Sequence, residues 1–511
     1  MANTINLPRA HLILGICIPL AVLLGYLLAE PLEPGTMGVV LLVIFTLSVP
    51  LLMKWHHPML VLAWNSQVAP AFIPGSPPLW LLLGFASLFF AILSRTVDAQ
   101  RRLIHVPSVT RPLVFLALVI IITAMLTGGF GLRSTGSDKV GGKGYYYLLG
   151  AVAGYFAFTS TAIPPGRALA YAAMFFLPGL LGVAGNLIYS AGPGYFFLYA
   201  LFPITVALEQ AGADLGGSSF AGRFGGLMMT AAALYSFLIA RYGMRGVLTL
   251  QRPLRFGLFV LAIVGCLESG YRSVLILFLM TAMAVFYLEG LHRTRMVAVL
   301  AGLGILAGSL CLTQIQHMPF SIQRTLSFLP LDVDPGVLQN AEASSQWRIE
   351  MWKVIAPEIP NYLFKGKGYA LDPNEMEMAA LADATHQDTY SMGSLVTGAY
   401  HNGGLSVLIP FGIFGLIGLL WFMVASLRYL YHNYLHGNPE LRHINTFLLG
   451  AFAAKSLFFF AVFGALYVDL CYFTGMVGFA VALNGAPVLR TRNREDQPER
   501  VPDFGSRVVK A

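Results

Sequence analysis

The chain has 511 residues, of which 57% are hydrophobic and 11% charged, with a mean hydropathy of +0.70. Soluble domains carry roughly 25% charged residues, so this composition excludes a water-soluble enzyme and points to an all-α polytopic transmembrane bundle. The net charge of +8 is unevenly placed: residues 313–400 hold five Lys/Arg and ten Asp/Glu, net −5, leaving +13 elsewhere, which is a signature of membrane orientation and, with no soluble basic-aromatic module, not of nucleic-acid binding.

Apolar runs predict spans near 11–30, 36–53, 58–72, 79–94, 112–128, 145–163, 168–189, 224–240, 254–268, 271–289, 296–312, 402–426, 444–465 and 468–487. The runs 58–72 and 254–268 are short, so the expected total is 12–14 spans, and 194–208 reads as an interfacial or re-entrant piece. The run 11–29 can cross a bilayer and is followed by further spans, which favours a span over a cleaved leader. The expected organisation is a first transmembrane part over 1–312, a loop subdomain over 313–400, C-terminal spans over 401–488 and a charged, disordered tail over 489–511. Cys17, Cys266, Cys311 and Cys471 lie in or beside apolar runs without a disulfide or metal spacing.

Basic residues set the expected sidedness. Arg95, Arg101, Arg102 and Arg111 flank one loop, Arg241, Arg245, Arg252 and Arg255 another, Arg293 and Arg295 a third, Arg428 and Arg442 a fourth, and Arg490, Arg492 and Arg494 open the tail. Counting spans puts all five on one side, expected to be cytoplasmic. The opposite side then receives 129–144, 190–223, the turn at 268–271 and the long segment 313–400. A loop of that length is more often functional than a connector. Within it, Ser344 or Ser345 is expected to cap a helix running to about Ala356, stopped by Pro357, with Trp347, Met351, Val354 and Ile355 on one face and Arg348 and Trp352 on another.

Several polar residues then share one depth at that face. Arg223 and Arg272 each open a span, Arg272 just after Glu268; Arg348 lies in the long loop; His401 and Asn402 stand where the loop re-enters the membrane. Each also has a bland reading: Arg223 snorkelling at a helix end, Arg272 paired with Glu268, Arg348 as a surface arginine, His401 as a structural histidine. Asp332 and Asp334 form a D-x-D pair of the kind that chance often produces, His386 and Asp388 lack a metal-ligand partner, Lys365–Gly368 lacks P-loop spacing, and there is no G-x-S-x-G. No metal or other cofactor is expected. Arginine forks match phosphate oxygens and neutralise a diphosphate leaving group, while a histidine can take a proton from an attacking hydroxyl. The constellation suits glycosyl transfer from a polyprenyl diphosphate sugar.

The chain resembles the O-antigen ligase/polymerase superfamily of bacterial integral-membrane glycan transferases. The resemblance rests on E-S-G-Y-R-S at 268–273, S-S-Q-W-R-I-E-M-W at 344–352, F-K-G-K-G-Y at 364–369 and Y-H-N-G-G-L at 400–405 before a Gly-rich span, with weaker likeness at 223–226 and 136–144. It covers about 200–430. A Ser-Gly-Ser-Arg-type motif of relatives reads Ser-Gly-Tyr-Arg here. The resemblance implies a C-type glycosyltransferase membrane fold in the inner membrane with a periplasmic active site. It also implies metal-independent, inverting chemistry, an undecaprenyl-diphosphate-linked glycan donor and a lipid A-core or glycan acceptor. By motif, Arg272 and Arg348 would bind the diphosphate with Arg223 as a third, His401 would act on the acceptor hydroxyl, and Glu268, Asn402 and Trp352 would support them. The competing reading is a transporter or flippase of a lipid-linked anionic glycan, which expects mid-membrane charge such as Lys455 and repeat symmetry; no repeat is visible. A non-catalytic scaffold is a third.

Overall fold

A computed structural model describes residues 34–73, 75–97, 103–131, 141–215, 223–385 and 392–486, with six positions between 18 and 25. The tail 489–511, most of the 11–30 run, and His386 and Asp388 lie outside the described residues. Among the described residues the regular structure is helical, without strands. Among the described residues, eight helices are long and apolar enough to cross a membrane, and Arg272–Leu288 is a shorter apolar one. The protein is a multi-pass α-helical membrane protein. Helices answer the bilayer's demand that every backbone polar group be satisfied within its own segment.

The core is built from Gly142–Phe158, Gly403–His436, Arg442–Ala461 and Leu466–Asn484. Phe158, Phe422, Phe452, Phe459 and Phe473 are fully buried among them. Small residues admit large ones: a Cβ on Gly154 or Gly475 would run into the Trp64 ring, whose indole N–H donates to the Cys471 carbonyl at 3.1 Å. Beside Asp469, Lys455 forms a buried ion pair at 2.8 Å that ties the last two helices together.

Three expected elements differ. The runs 36–53 and 58–72 join in one helix, Pro34–Trp64, with Pro50 and Pro58 inside it. Burial of Leu60, Val61 and Trp64 holds the second half helical past the proline. The run 168–189 is interrupted by a 3-10 stretch, Leu177–Val183, which brings Gly182 so close to Gly226 that a Cβ there would meet its carbonyl. The loop helix begins at Pro335, not at Ser344 or Ser345. Asp334 caps it by accepting from the Gly336 and Val337 amides, and Pro335 is preorganised for the first turn. Its end at Ile355, before a 3-10 turn, matches the expectation. Met351 and Ile355 pack inward with Tyr400 and Ile409, but Val354 is exposed.

The basic loops gather at one end. Glu289 accepts from the Met244 and Arg245 amides, Tyr434 donates to Leu288, Ile104 to Thr159, Ile163 to Ala482, and Tyr429 to Gly485. The segment after Gln314 covers the other end, with Thr325 donating to Leu267 and Arg324 to Gly270.

The Lys365–Gly368 stretch has a structural role. Pro410 and a non-helical Gly412 break the Gly403–His436 helix and expose its backbone groups. Lys367 and Gly368 donate to the Ile409 and Pro410 carbonyls, and Ile413 donates to Leu363. Gly366 has φ +75, and a Cβ there would strike the Pro410 carbonyl oxygen. The loop thus satisfies the break and anchors the helix whose first turn follows His401.

Candidate functional site

Four arginines converge where Arg272–Leu288, the Phe320–Leu326 helix and the Pro335–Ile355 helix meet. Arg272 donates to the Ala341 carbonyl at 2.8 Å and to the Ser345 hydroxyl at 3.4 Å. Arg223 donates to the Ser344 hydroxyl at 3.4 Å and lies over the Tyr271 ring. Tyr271 in turn donates to the Glu209 carboxylate at 3.2 Å. The two serines expected as caps are therefore arginine partners. Arg324, which sequence reasoning missed, is 3% exposed and donates to Asn340 Oδ1 and the Gly270 carbonyl, each at 3.1 Å. Its only sequence signal was being one of five basic residues in an acidic segment.

Arg348 is placed between aromatic rings, 5.8 Å from the Trp347 centroid and 5.7 Å from that of Phe463, and its buried Nε has no hydrogen-bond partner. Burial first, then Arg223 and Arg272, push its guanidinium below the ordinary arginine value. Arg324 is lowered by burial and then by Arg223, Arg272 and, more weakly, Arg348. Arginine stays protonated in proteins, so these shifts report positive charges that are buried and, secondarily, crowded together. Among the described residues none of the four has a carboxylate within ion-pair distance. The Glu268–Arg272 pair of the bland reading does not form; Glu268 accepts from the Ser321 hydroxyl at 2.7 Å.

His401 shares the aromatic walls of Arg348. Its ring meets Trp347 edge-on at 5.1 Å and Phe463 at 5.1 Å. Its backbone is in the left-handed region at φ 52, an uncommon place for a non-glycine residue. Its neighbours are fixed on both sides. The Tyr400 carbonyl accepts the Trp352 indole N–H at 2.7 Å, and Asn402 caps the following helix by accepting from the Leu405 amide. Buried Nδ1 of His401 has no partner. Burial, then Arg348 and Arg223, lower the imidazole pKa to about 4, which keeps it neutral near pH 7. Trp352 and Asn402 therefore hold the histidine, and Glu268 belongs to the scaffold beneath.

The D-x-D pair is structural. Asp332 accepts from Gln316 at 2.6 Å and Asp334 caps a helix. Among the described residues no group of three or more His, Cys, Asp or Glu is arranged to hold a metal ion.

A cationic, aromatic-walled site beside a neutral histidine is the geometry of the 257–420 region, and that region matches the family model described as O-antigen ligase. The likeness to the O-antigen ligase family covers residues 257–420 of the 511. The matched residues include Arg272, Arg324, Arg348, His401 and the Pro410–Gly412 break; Arg223 and Phe463 join from outside them. A search of curated proteins returns no match. An O-antigen ligase domain implies a glycosyltransferase-like membrane enzyme of polysaccharide assembly, working on lipid-linked glycans.

Proposed function

We propose that the protein transfers a glycan from an undecaprenyl-diphosphate carrier to an acceptor hydroxyl, on lipid A-core or another glycan, at the periplasmic face of the inner membrane. Arg272, Arg348, Arg324 and Arg223 bind the diphosphate. His401 takes the proton of the acceptor hydroxyl as its oxygen attacks the anomeric carbon; the bond from that carbon to the diphosphate oxygen breaks, and the departing polyprenyl diphosphate keeps the electron pair. A single displacement of this kind inverts the anomeric centre. The guanidinium groups supply the charge that a divalent cation supplies elsewhere, so transfer is expected to continue in excess chelator.

The observation that carries this reading is four clustered arginines without a carboxylate among the described residues, facing a histidine with an unpartnered buried nitrogen. Such a cluster stores repulsion that an anion relieves. The transport reading loses its main support, because Lys455 already has Asp469 as a partner, whose other oxygen accepts the Ala465 amide.

Binding of undecaprenyl diphosphate to the purified protein separates the roles. A charge-assisted hydrogen bond is worth about 1.5–3 kcal/mol, or about 10- to 150-fold in Kd. Arg348→Ala is expected to weaken binding on that scale, while His401→Ala binds within about twofold of wild type. Equal binding by Arg348→Ala and wild type would refute the assignment.

A further inference from the structure

The end of the bundle that carries the basic loops holds a cationic cavity, of about 570 Å³. Lys54, Arg167, His57, Ser94 and Thr161 line it, and Met53 and Trp55 form an apolar wall. A smaller adjoining space reaches Arg95 and Ser160. Neither lining contains a carboxylate. Arg95 closes the Leu79–Val97 helix and Arg167 stands just ahead of Ala168–Phe176, while Lys54 lies within Pro34–Trp64 between Pro50 and Pro58.

Two buried polar atoms in that lining lack partners. Ser94 is 4% exposed and its Oγ has no hydrogen bond. His57 is 2% exposed. Its Nε2 donates to the Phe158 carbonyl at 3.1 Å, so in the neutral ring Nδ1 is an acceptor, and it too has no partner. The cavity therefore offers two cations to anionic oxygens and an apolar wall to a chain, with an unpartnered hydroxyl and an unpartnered imidazole nitrogen buried behind its lining. We infer that this cavity binds the phosphate of an anionic glycerophospholipid headgroup. Basic pockets between helices recognise phosphate headgroups through the same chemistry. The inference is independent of the arginine cluster at the other end, because its test reads binding and not transfer.

The full-length protein, purified in detergent, is incubated with phosphatidylglycerol or phosphatidylcholine of matched chains, and retained lipid is measured by native mass spectrometry. Wild type is expected to retain phosphatidylglycerol at least about tenfold better. Lys54 and Arg167 are exposed, so the Lys54→Gln/Arg167→Gln double variant can lose the preference without losing the fold, which thermal unfolding checks. Arg245→Gln/Arg252→Gln, removing two charges elsewhere at the same end, is expected to keep it. An added arm with millimolar inorganic phosphate distinguishes the source: lipid retained in its presence assigns the site to a lipid headgroup, and lipid displaced assigns it to a free phosphate compound. Equal retention of both lipids by wild type, or the same preference in Lys54→Gln/Arg167→Gln as in wild type, overturns the inference.

Discussion

His401 is a neutral imidazole held in an uncommon backbone conformation by its two neighbours, and its low pKa follows from burial and from Arg348 and Arg223. This has a pH consequence. In the free protein the imidazole is protonated only below about 4, so the acid limb of kcat/KM that belongs to this group is expected near that value. A bound diphosphate offsets the arginines, which moves the limb of kcat upward, toward the ordinary histidine value of about 6.5. Coincident limbs in the two profiles would argue against a shared site. Arg324 offers a second test at this scale. It lies deeper than the other three and is also bonded to Gly270 and Asn340. Arg324→Lys keeps a charge but loses the fork, and it is expected to raise the KM for the lipid-linked donor by about tenfold or more. The acceptor KM should stay unchanged; a fall in thermal stability with an unchanged donor KM would show a purely structural arginine.

The 403–436 helix is broken at Pro410 and Gly412, and the Lys365–Gly368 loop repairs the break with backbone hydrogen bonds. Gly366→Ala places a Cβ against the Pro410 carbonyl oxygen in a left-handed backbone, a conformation that costs an L-residue about 1–2 kcal/mol before any clash. Thermal unfolding in detergent should show the loss, and Lys365→Ala, which leaves the backbone bonds in place, should not. The contrast between these residues shows what the sequence could carry. Hydropathy placed the runs 79–94, 271–289, 296–312 and 468–487 close to Leu79–Val97, Arg272–Leu288, Met296–Gln314 and Leu466–Asn484, but it split Pro34–Trp64 in two and stopped Gly403–His436 at 426. It could not place the start of the loop helix, since Asp334-Pro335 and Ser344-Ser345 are both acceptable starts by local chemistry. Tertiary contact decides: the serine hydroxyls face Arg223 and Arg272. The same holds for F-K-G-K-G-Y, whose purpose is visible only once the broken helix lies beside it.

Across the whole molecule, the two ends differ in charge and purpose. Loop arginines gather at one end, and the segment after Gln314, with the arginine cluster, covers the other. Arg223, Arg272 and His401 could be grouped from sequence because each stands at the mouth of a span, with Arg348 in the long loop on the same side, whereas Arg324, Phe463 and Asp469 could not, because nothing local marks a residue whose partner is distant in the chain. Asp469 and Lys455 test how the scaffold is held. Removing one partner of a buried ion pair typically costs about 3–5 kcal/mol, while replacing both with apolar residues can be neutral. Lys455→Met is therefore expected to lower thermal stability sharply, and Lys455→Met/Asp469→Leu to recover most of it. If the double variant retains transfer, the pair is structural, as its hydrogen bond to the Ala465 amide suggests; loss of transfer in a stable double variant would place charge at this depth in the mechanism.

The most direct test of the central claim is glycan transfer in reconstituted membranes from an undecaprenyl-diphosphate glycan, with His401→Ala, Arg272→Ala and Arg348→Ala compared with wild type at matched amounts of folded protein. Loss of general-base catalysis is worth about 10²–10⁴-fold. Transfer is expected to fall on that scale in His401→Ala, with donor binding preserved, and by about 10-fold or more in each arginine variant. Wild-type rates in all three variants would contradict the account and leave these residues as anchors of the fold.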